Sequence, residues 1–307
     1  MQIPKLKIMF LRSLHLVVFA LFISLAATAQ NVDLFSEKTN STNSDITTGT
    51  FKSTRIVNGQ SIENVGPGVL DFKIMHRFGP LSDGGYNFFG LDQATMRIGL
   101  DYGITDRLMV GIGRSTFEKQ YDGFLKYKII RQQQGQRNIP FSLSYASSFV
   151  YKSLHDAVTT YTPYVSDKFS FSHQLLLASK VNDYFSLQLS PTLIHYNMVD
   201  TKTTPNDFYS LGVGFRQRVS KRVNITTEYY HRFNSLEGHY DPLSVGVDIE
   251  TGGHVFQLHV SNSTGMTDRT FINETSGSWA KGDLRFGFNI SRVFTVRKPK
   301  ELRNIKW

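Results

Sequence analysis

Between positions 69 and 294 the chain alternates apolar and polar residues in twelve short segments, and its only long apolar run lies ahead of them, at positions 16–25. In the first segment Leu70, Phe72 and Ile74 oppose Asp71, Lys73 and Arg77. In the tenth, Leu243, Val245, Val247 and Ile249 oppose Ser244, Gly246, Asp248 and Glu250. In the last, Leu284, Phe286, Phe288, Ile290 and Phe294 oppose Arg285, Gly287, Asn289 and Ser291. A period of two makes strands with one apolar and one polar face. Most segments reach the roughly 9–11 residues that a tilted strand needs to cross a bilayer. The pattern predicts a closed antiparallel transmembrane β-barrel of about 12 strands, of the outer-membrane type, because closure satisfies every backbone group without an apolar helix.

Connection lengths test this reading independently. Short turns at 104–106, 181–183, 220–222 and 251–253 follow even-numbered segments, and long connections at 79–92, 152–168, 234–241 and 263–281 follow odd ones. Barrels of this type alternate short periplasmic turns with longer external loops, so the parity places both chain ends in the periplasm. The brief link 116–119 and the longer 132–138 break the rule and leave the count open by one pair. Pro191, within the seventh segment, predicts a bulge or the emergence of that strand from the membrane. The alternative fold is a secreted β-sandwich binding protein, whose strands also alternate but whose connections need not.

The ends add organisation. Lys5, Lys7 and Arg12 precede the apolar run, and Ala27-Thr28-Ala29 precede Gln30, which predicts a cleaved signal peptide over 1–29. Residues 30–50 are polar and read as a flexible periplasmic leader. Residues 51–57 have β character and would add a short strand or tuck into the barrel mouth. The barrel domain then spans 51–294, and 295–307 form a basic periplasmic tail. The absence of cysteine excludes disulfides, thiolate metal sites and lipidation through an N-terminal cysteine. The net charge of +9 sits mostly in signal and tail, which leaves the barrel near +2 and gives no basic patch suited to nucleic acid.

The polar faces hold the first candidate site. Arg97, Asp101, Lys126, Lys128, Arg216, Arg218, Glu228, Arg232, Asp248, Glu250 and Arg285 turn inward with Asp71, and on segments eight to ten arginines and carboxylates fall at comparable depth. They would form either opposed charge rings that select ions or an ion-pair network that fills a closed lumen. The second candidate is His259-Val260-Ser261-Asn262 with Asn273. It resembles the His-x-Ser-Asn core of outer-membrane phospholipases, which implies Ser261 as nucleophile, His259 as base and Asn273 as orienting amide. However, Phe256, Leu258 and Val260 claim the lipid face, which turns His259 and Ser261 to the lumen, and Asn273 falls in a loop expected to be mobile. The other histidines do not cluster at metal-ligand spacing, and no cofactor is implied.

Segments 51–63 (FKSTRIVNGQSIE), 69–78 (VLDFKIMHRF), 89–94 (FGLDQA), 102–115 (YGITDRLMVGIGRS) and 121–127 (YDGFLKY), with 288–294, resemble a Bacteroidota family of membrane-bound β-barrels of unknown function. The resemblance implies architecture and location and supplies no substrate or catalytic residue. The expectation is therefore a non-enzymatic barrel in the outer membrane of a Gram-negative bacterium, contacting outer-membrane lipid and barrel-assembly machinery. It would be a narrow charge-lined pore, blocked by the leader or by 79–92, or a structural barrel whose external loops, such as 152–168 with Tyr161 and Tyr164, bind a partner. A lipid hydrolase using His259 and Ser261 is the enzymatic alternative.

Overall fold

Outward positions on the strands are mostly Leu, Ile, Val, Phe and Tyr, and inward positions are mostly Ser, Gly, Gln and charged residues, so the sheet reaches a low-energy state in a bilayer only by closing on itself. The computed structural model describes residues 45–135, 137–154, 164–199 and 201–297. Within them lies one closed antiparallel barrel of twelve strands. We number these β1 (Val69–Pro80), β2 (Ala94–Gly103), β3 (Leu108–Ser115), β4 (Gln120–Ile130), β5 (Ser142–Lys152) and β6 (Phe169–Lys180). They continue as β7 (Phe185–Tyr196), β8 (Asp207–Arg218), β9 (Val223–Arg232), β10 (Leu243–Thr251), β11 (His254–Ser261) and β12 (Arg285–Thr295). Each strand pairs with its neighbour in sequence, and β12 closes onto β1 from Thr295↔Val69 to Arg285↔Pro80, with one irregularity between Arg285 and Gly287. The single closed sheet removes the sandwich alternative.

The parity of connections holds except at the brief link after β3 and the longer one after β4. The tightest turn, Gly252-Gly253, takes positive φ at both residues, a backbone region that glycine enters without steric cost. The longer connection after β4 breaks the parity for a local reason: Gln133–Gln134 in it pair with Asp45–Ile46, so its length serves an extra two-stranded ladder and hides no pair of strands. Residues 45–46 are therefore ordered by pairing, where the composition predicted flexible leader. The predicted signal, the leader through residue 44, the tail from 298 and Tyr161 lie outside the described residues. Pro191 neither bulges nor ends its strand. β7 runs through it in unshifted register, and the β6–β7 pairing lapses only opposite it, between Gln174↔Thr192 and Leu177↔Leu189.

Candidate functional site

The lumen is filled from both ends by the chain itself. From the side of the short turns, residues 51–65 enter as a hairpin in which Arg55 pairs with Gln60 and the Ser61 N–H donates to the Thr54 carbonyl (3.0 Å). Every residue from 53 to 62 is buried. The sequence predicted an added strand or a plug at the mouth for 51–57; the segment instead reaches the middle of the barrel. Its tip rests on the buried Glu228, whose carboxylate accepts from the consecutive backbone N–H groups of Val57 (3.2 Å), Asn58 (2.8 Å) and Gly59 (3.0 Å). Asn58 adds two side-chain bonds, accepting from Arg77 (2.7 Å) and donating to Ser244 (3.2 Å).

Most remaining contacts to the hairpin are wall side chains reading its backbone. Asn289 donates to the Val57 carbonyl (2.9 Å) and Gln257 to that of Ile56 (2.8 Å). Gln188 donates to the Gln60 carbonyl (2.7 Å) and accepts from the Ile62 N–H (2.8 Å). Lys126 spans the carbonyls of Ser61 (2.8 Å) and Glu63 (2.6 Å). These bonds satisfy backbone groups that burial would otherwise strand. An apolar facet completes the seat, with Phe51, Ile56 and Ile62 packed on Ala146, Leu176 and Ala178, and Val65 on Met109 and Phe124.

The second insert is the β11–β12 connection. It turns back into the barrel around a single π-helical turn, Arg269–Asn273, and buries Met266, Phe271 and Ile272. Phe271 and Ile272 pack with the inward-facing Ile194, Tyr196, Phe208 and Tyr230. Thr267 donates to Gln120 (2.8 Å), and Asp268 accepts from Ser148 (2.8 Å) and Ser172 (3.0 Å). The two inserts meet at an ion pair, Arg55 to Asp268 at 3.6 Å. Among the described residues, the segments that enter the lumen are thus 51–65 and part of 262–278, and not 79–92, which is largely exposed; the leader through residue 44 lies outside the described residues.

All the lumen candidates lie on inward strand positions, but their partners differ from those the charge pattern suggested. Arg97 grips Asp122 through two bonds (2.8 and 2.5 Å), and Asp101 accepts from Lys73 (2.8 Å) and Thr54 (2.9 Å). Arg216 donates to the Gly49 carbonyl (2.7 Å) and Arg218 to that of Ser220 (3.3 Å). Neither forms an ion pair with Glu228 or Asp248, so the expected meeting of arginines and carboxylates across β8 to β10 does not occur. Glu228 is occupied by the hairpin, and Asp248 accepts from Thr226 (3.2 Å) and Gln257 (3.0 Å). Glu250 binds Lys52 at 2.6 Å, and Arg232 binds Asp241 at 3.0 Å and the Asn273 carbonyl at 3.0 Å. Lys128 and Arg285 are half-buried, Arg285 with its Nε and Nη1 unpartnered. Sequence reasoning passed over Asp122, Gln188, Gln257 and the seat of small and apolar inward residues. Leu176, Ile194 and Phe208 on lumenal positions were the available signal, since a water-filled lumen gives them nothing to pack on.

The hydrolase constellation is not assembled. Phe256 and Leu258 point outward, and His259 and Ser261 are buried in the interior. The Ser261 hydroxyl accepts from Ser244 (2.9 Å) and from the Ser263 N–H (3.1 Å), while both ring nitrogens of His259 are without a hydrogen-bond partner. Asn273 is buried in the π-helical turn, not mobile, because Phe271 and Ile272 anchor that turn to the wall. Among the described residues no three His, Asp or Glu side chains converge as metal ligands.

Among solved structures, the barrel is similar to the NanC porin in a rhombohedral crystal form (TM-score 0.47, 8% identity, 73% of this chain and 98% of that one). It is also similar to the KdgM porin (0.44, 11%, 74% and 99%) and to outer membrane phospholipase A from Escherichia coli (0.41, 10%, 78% and 97%). No curated protein matches the sequence. Residues 51–294 match the membrane-bound beta-barrel domain family DUF5777 in one span that takes in the inserted hairpin and all twelve strands, and the chain belongs to that family.

Proposed function

We propose that this protein is an outer-membrane barrel that stays closed and works through its surfaces, without an enzymatic role. The observation that carries this reading is the unbroken burial of residues 53–62 inside the barrel, met from the other side by Met266 and Phe271. An ion pathway requires a continuous polar opening, and here Glu228, Asn289, Gln257, Gln188 and Lys126 of the polar wall are spent on the backbone of the hairpin. The lack of any bond between His259 and Ser261, and their burial away from the lipid face, support a non-enzymatic reading. In this view the signal directs export, assembly machinery inserts the barrel from the periplasm, and lipid surrounds its apolar face. The exposed Tyr164 beside β6 belongs to a surface available to an external partner.

Purified protein in planar bilayers tests the closed state. Insertion without current is the expected result, and steady single-channel conductance of the wild-type chain would overturn it. Fractionation should recover the chain in the outer membrane with heat-modifiable gel mobility. A chromogenic ester should be turned over no faster than by Ser261→Ala.

A further inference from the structure

We propose that the outer wall carries a binding groove for the acyl chain of a membrane lipid, at the notch that Pro191 opens between β6 and β7. The notch begins in the backbone. Pro191 has no N–H to offer β6, and the pairing of Leu175 and Leu176 with Pro191 and Ser190 is missing although the register on either side is the same. Within hydrocarbon no water replaces a lost ladder bond. The result is an outward-facing groove of about 370 Å³ bordered by Tyr145, His173, Leu175, Pro191, Leu193 and Tyr209. Gln174, Thr192 and Ser210 also border it although their side chains point to the lumen, so its floor is the sheet backbone itself.

The groove holds a polar group on the outward face of the wall. The Tyr145 hydroxyl lies 2.6 Å and the Ser147 hydroxyl 3.3 Å from Nδ1 of His173. Nδ1 is engaged in either tautomer, whereas Nε2 has no hydrogen-bond partner among the described residues; in the tautomer in which Nδ1 accepts, the Nε2 N–H is left to donate. Polar groups facing lipid are costly and mark functional sites. His173 is level with Leu193 and Tyr209 across the sheet, and Phe233 beside Tyr209 adds a second aromatic ring at the long-connection rim. Aromatic side chains of this kind mark the membrane interface. In the Nε2–H tautomer His173 can donate to the ester or amide carbonyl of a lipid whose chain lies over Leu175 and Pro191. The groove faces hydrocarbon, which makes an acyl chain the occupant that location and chemistry both select.

Native mass spectrometry of the barrel, extracted from its own membrane in mild detergent, tests the site. Leu175→Trp fills the groove, His173→Phe removes the donor but keeps a ring, and Leu258→Trp makes the equivalent apolar change on another part of the wall. All three side chains face outward, so heat-modifiable mobility should stay as in the wild type. The wild type and Leu258→Trp should retain one lipid under activation that strips the rest. Leu175→Trp should lose it, and His173→Phe should release it at lower activation. Should Leu175→Trp fail to fold, His173→Phe decides alone. Equal retention in all four proteins, no retained lipid in the wild type, or a dimer that Leu175→Trp dissociates would each overturn the proposal.

Discussion

Glu228 holds the hairpin through three backbone N–H groups. Each buried donor left without an acceptor costs about 1–3 kcal/mol, so Glu228→Ala should free the tip, with Glu228→Gln intermediate because the amide keeps one acceptor oxygen. The chain has no cysteine, which makes Val57→Cys a clean reporter. We expect a membrane-impermeant maleimide to leave Val57→Cys unmodified in the wild-type background and to label it once Glu228→Ala is added; equally slow labelling in both would show that Glu228 is not the anchor. Asp241, in the connection after β9, gives a pH-dependent counterpart. Burial pushes its carboxyl up, but hydrogen bonds from Arg232 and Tyr229 and the charge of Arg232 outweigh this and hold it below the usual carboxylate range. A depressed folded-state pKa contributes stability above the unfolded value, near 3.9, that disappears as pH falls through the folded one. Asp241→Asn should therefore lower the thermal midpoint at pH 7, and the gap to wild type should close as the pH drops below about 4. A gap that persists at low pH would assign the effect to packing.

At the level of elements, strands and inserts obey different rules, which decides what the sequence discloses. Each strand carries its own instruction, because lipid on one side and lumen on the other impose a period of two on every residue, and Leu243 to Glu250 can be read without knowing their neighbours. The hairpin has no such periodicity to display. Its partners Glu228, Gln188, Gln257 and Asn289 are more than a hundred positions away in sequence, and the β-favouring Phe51, Ile56 and Val57 read as one more strand. Gly59 is a point where element and wall fit tightly. A Cβ there would come within 2.2 Å of the Tyr230 hydroxyl oxygen, and the next ring atom is 3.2 Å away. Gly59→Ala should accordingly lower the midpoint for loss of the compact gel form. Tyr230→Phe should recover much of that loss when the two are combined, since contacting residues are not additive. Simple additivity in this cycle would mean the tip does not sit against Tyr230.

For the whole molecule, barrel closure and lumen filling are separable. The ladder from β1 to β12 satisfies its own backbone, so the wall does not need the inserts in order to close. A lumen emptied of the hairpin would admit water, which can solvate Lys126, Arg77, Glu228 and Gln188, and those groups would then not be stranded. The apolar seat of Leu176, Ala146 and Ala178 loses its cover, which costs stability without removing a strand. Each insert touches the wall on opposite sides. The hairpin reaches from Lys126 on β4 to Gln257 on β11, and the β11–β12 connection from Gln120 on β4 to Tyr230 on β9. Either one alone should block current. We therefore expect a chain lacking residues 51–65 to retain heat-modifiable mobility at a lower thermal midpoint and to remain silent in planar bilayers. A chain in which residues 264–275 are also replaced by a short polar turn should conduct. Conductance on loss of the hairpin alone would show that the β11–β12 connection does not occlude the lumen, whereas silence of the doubly shortened barrel would place the barrier in the wall itself.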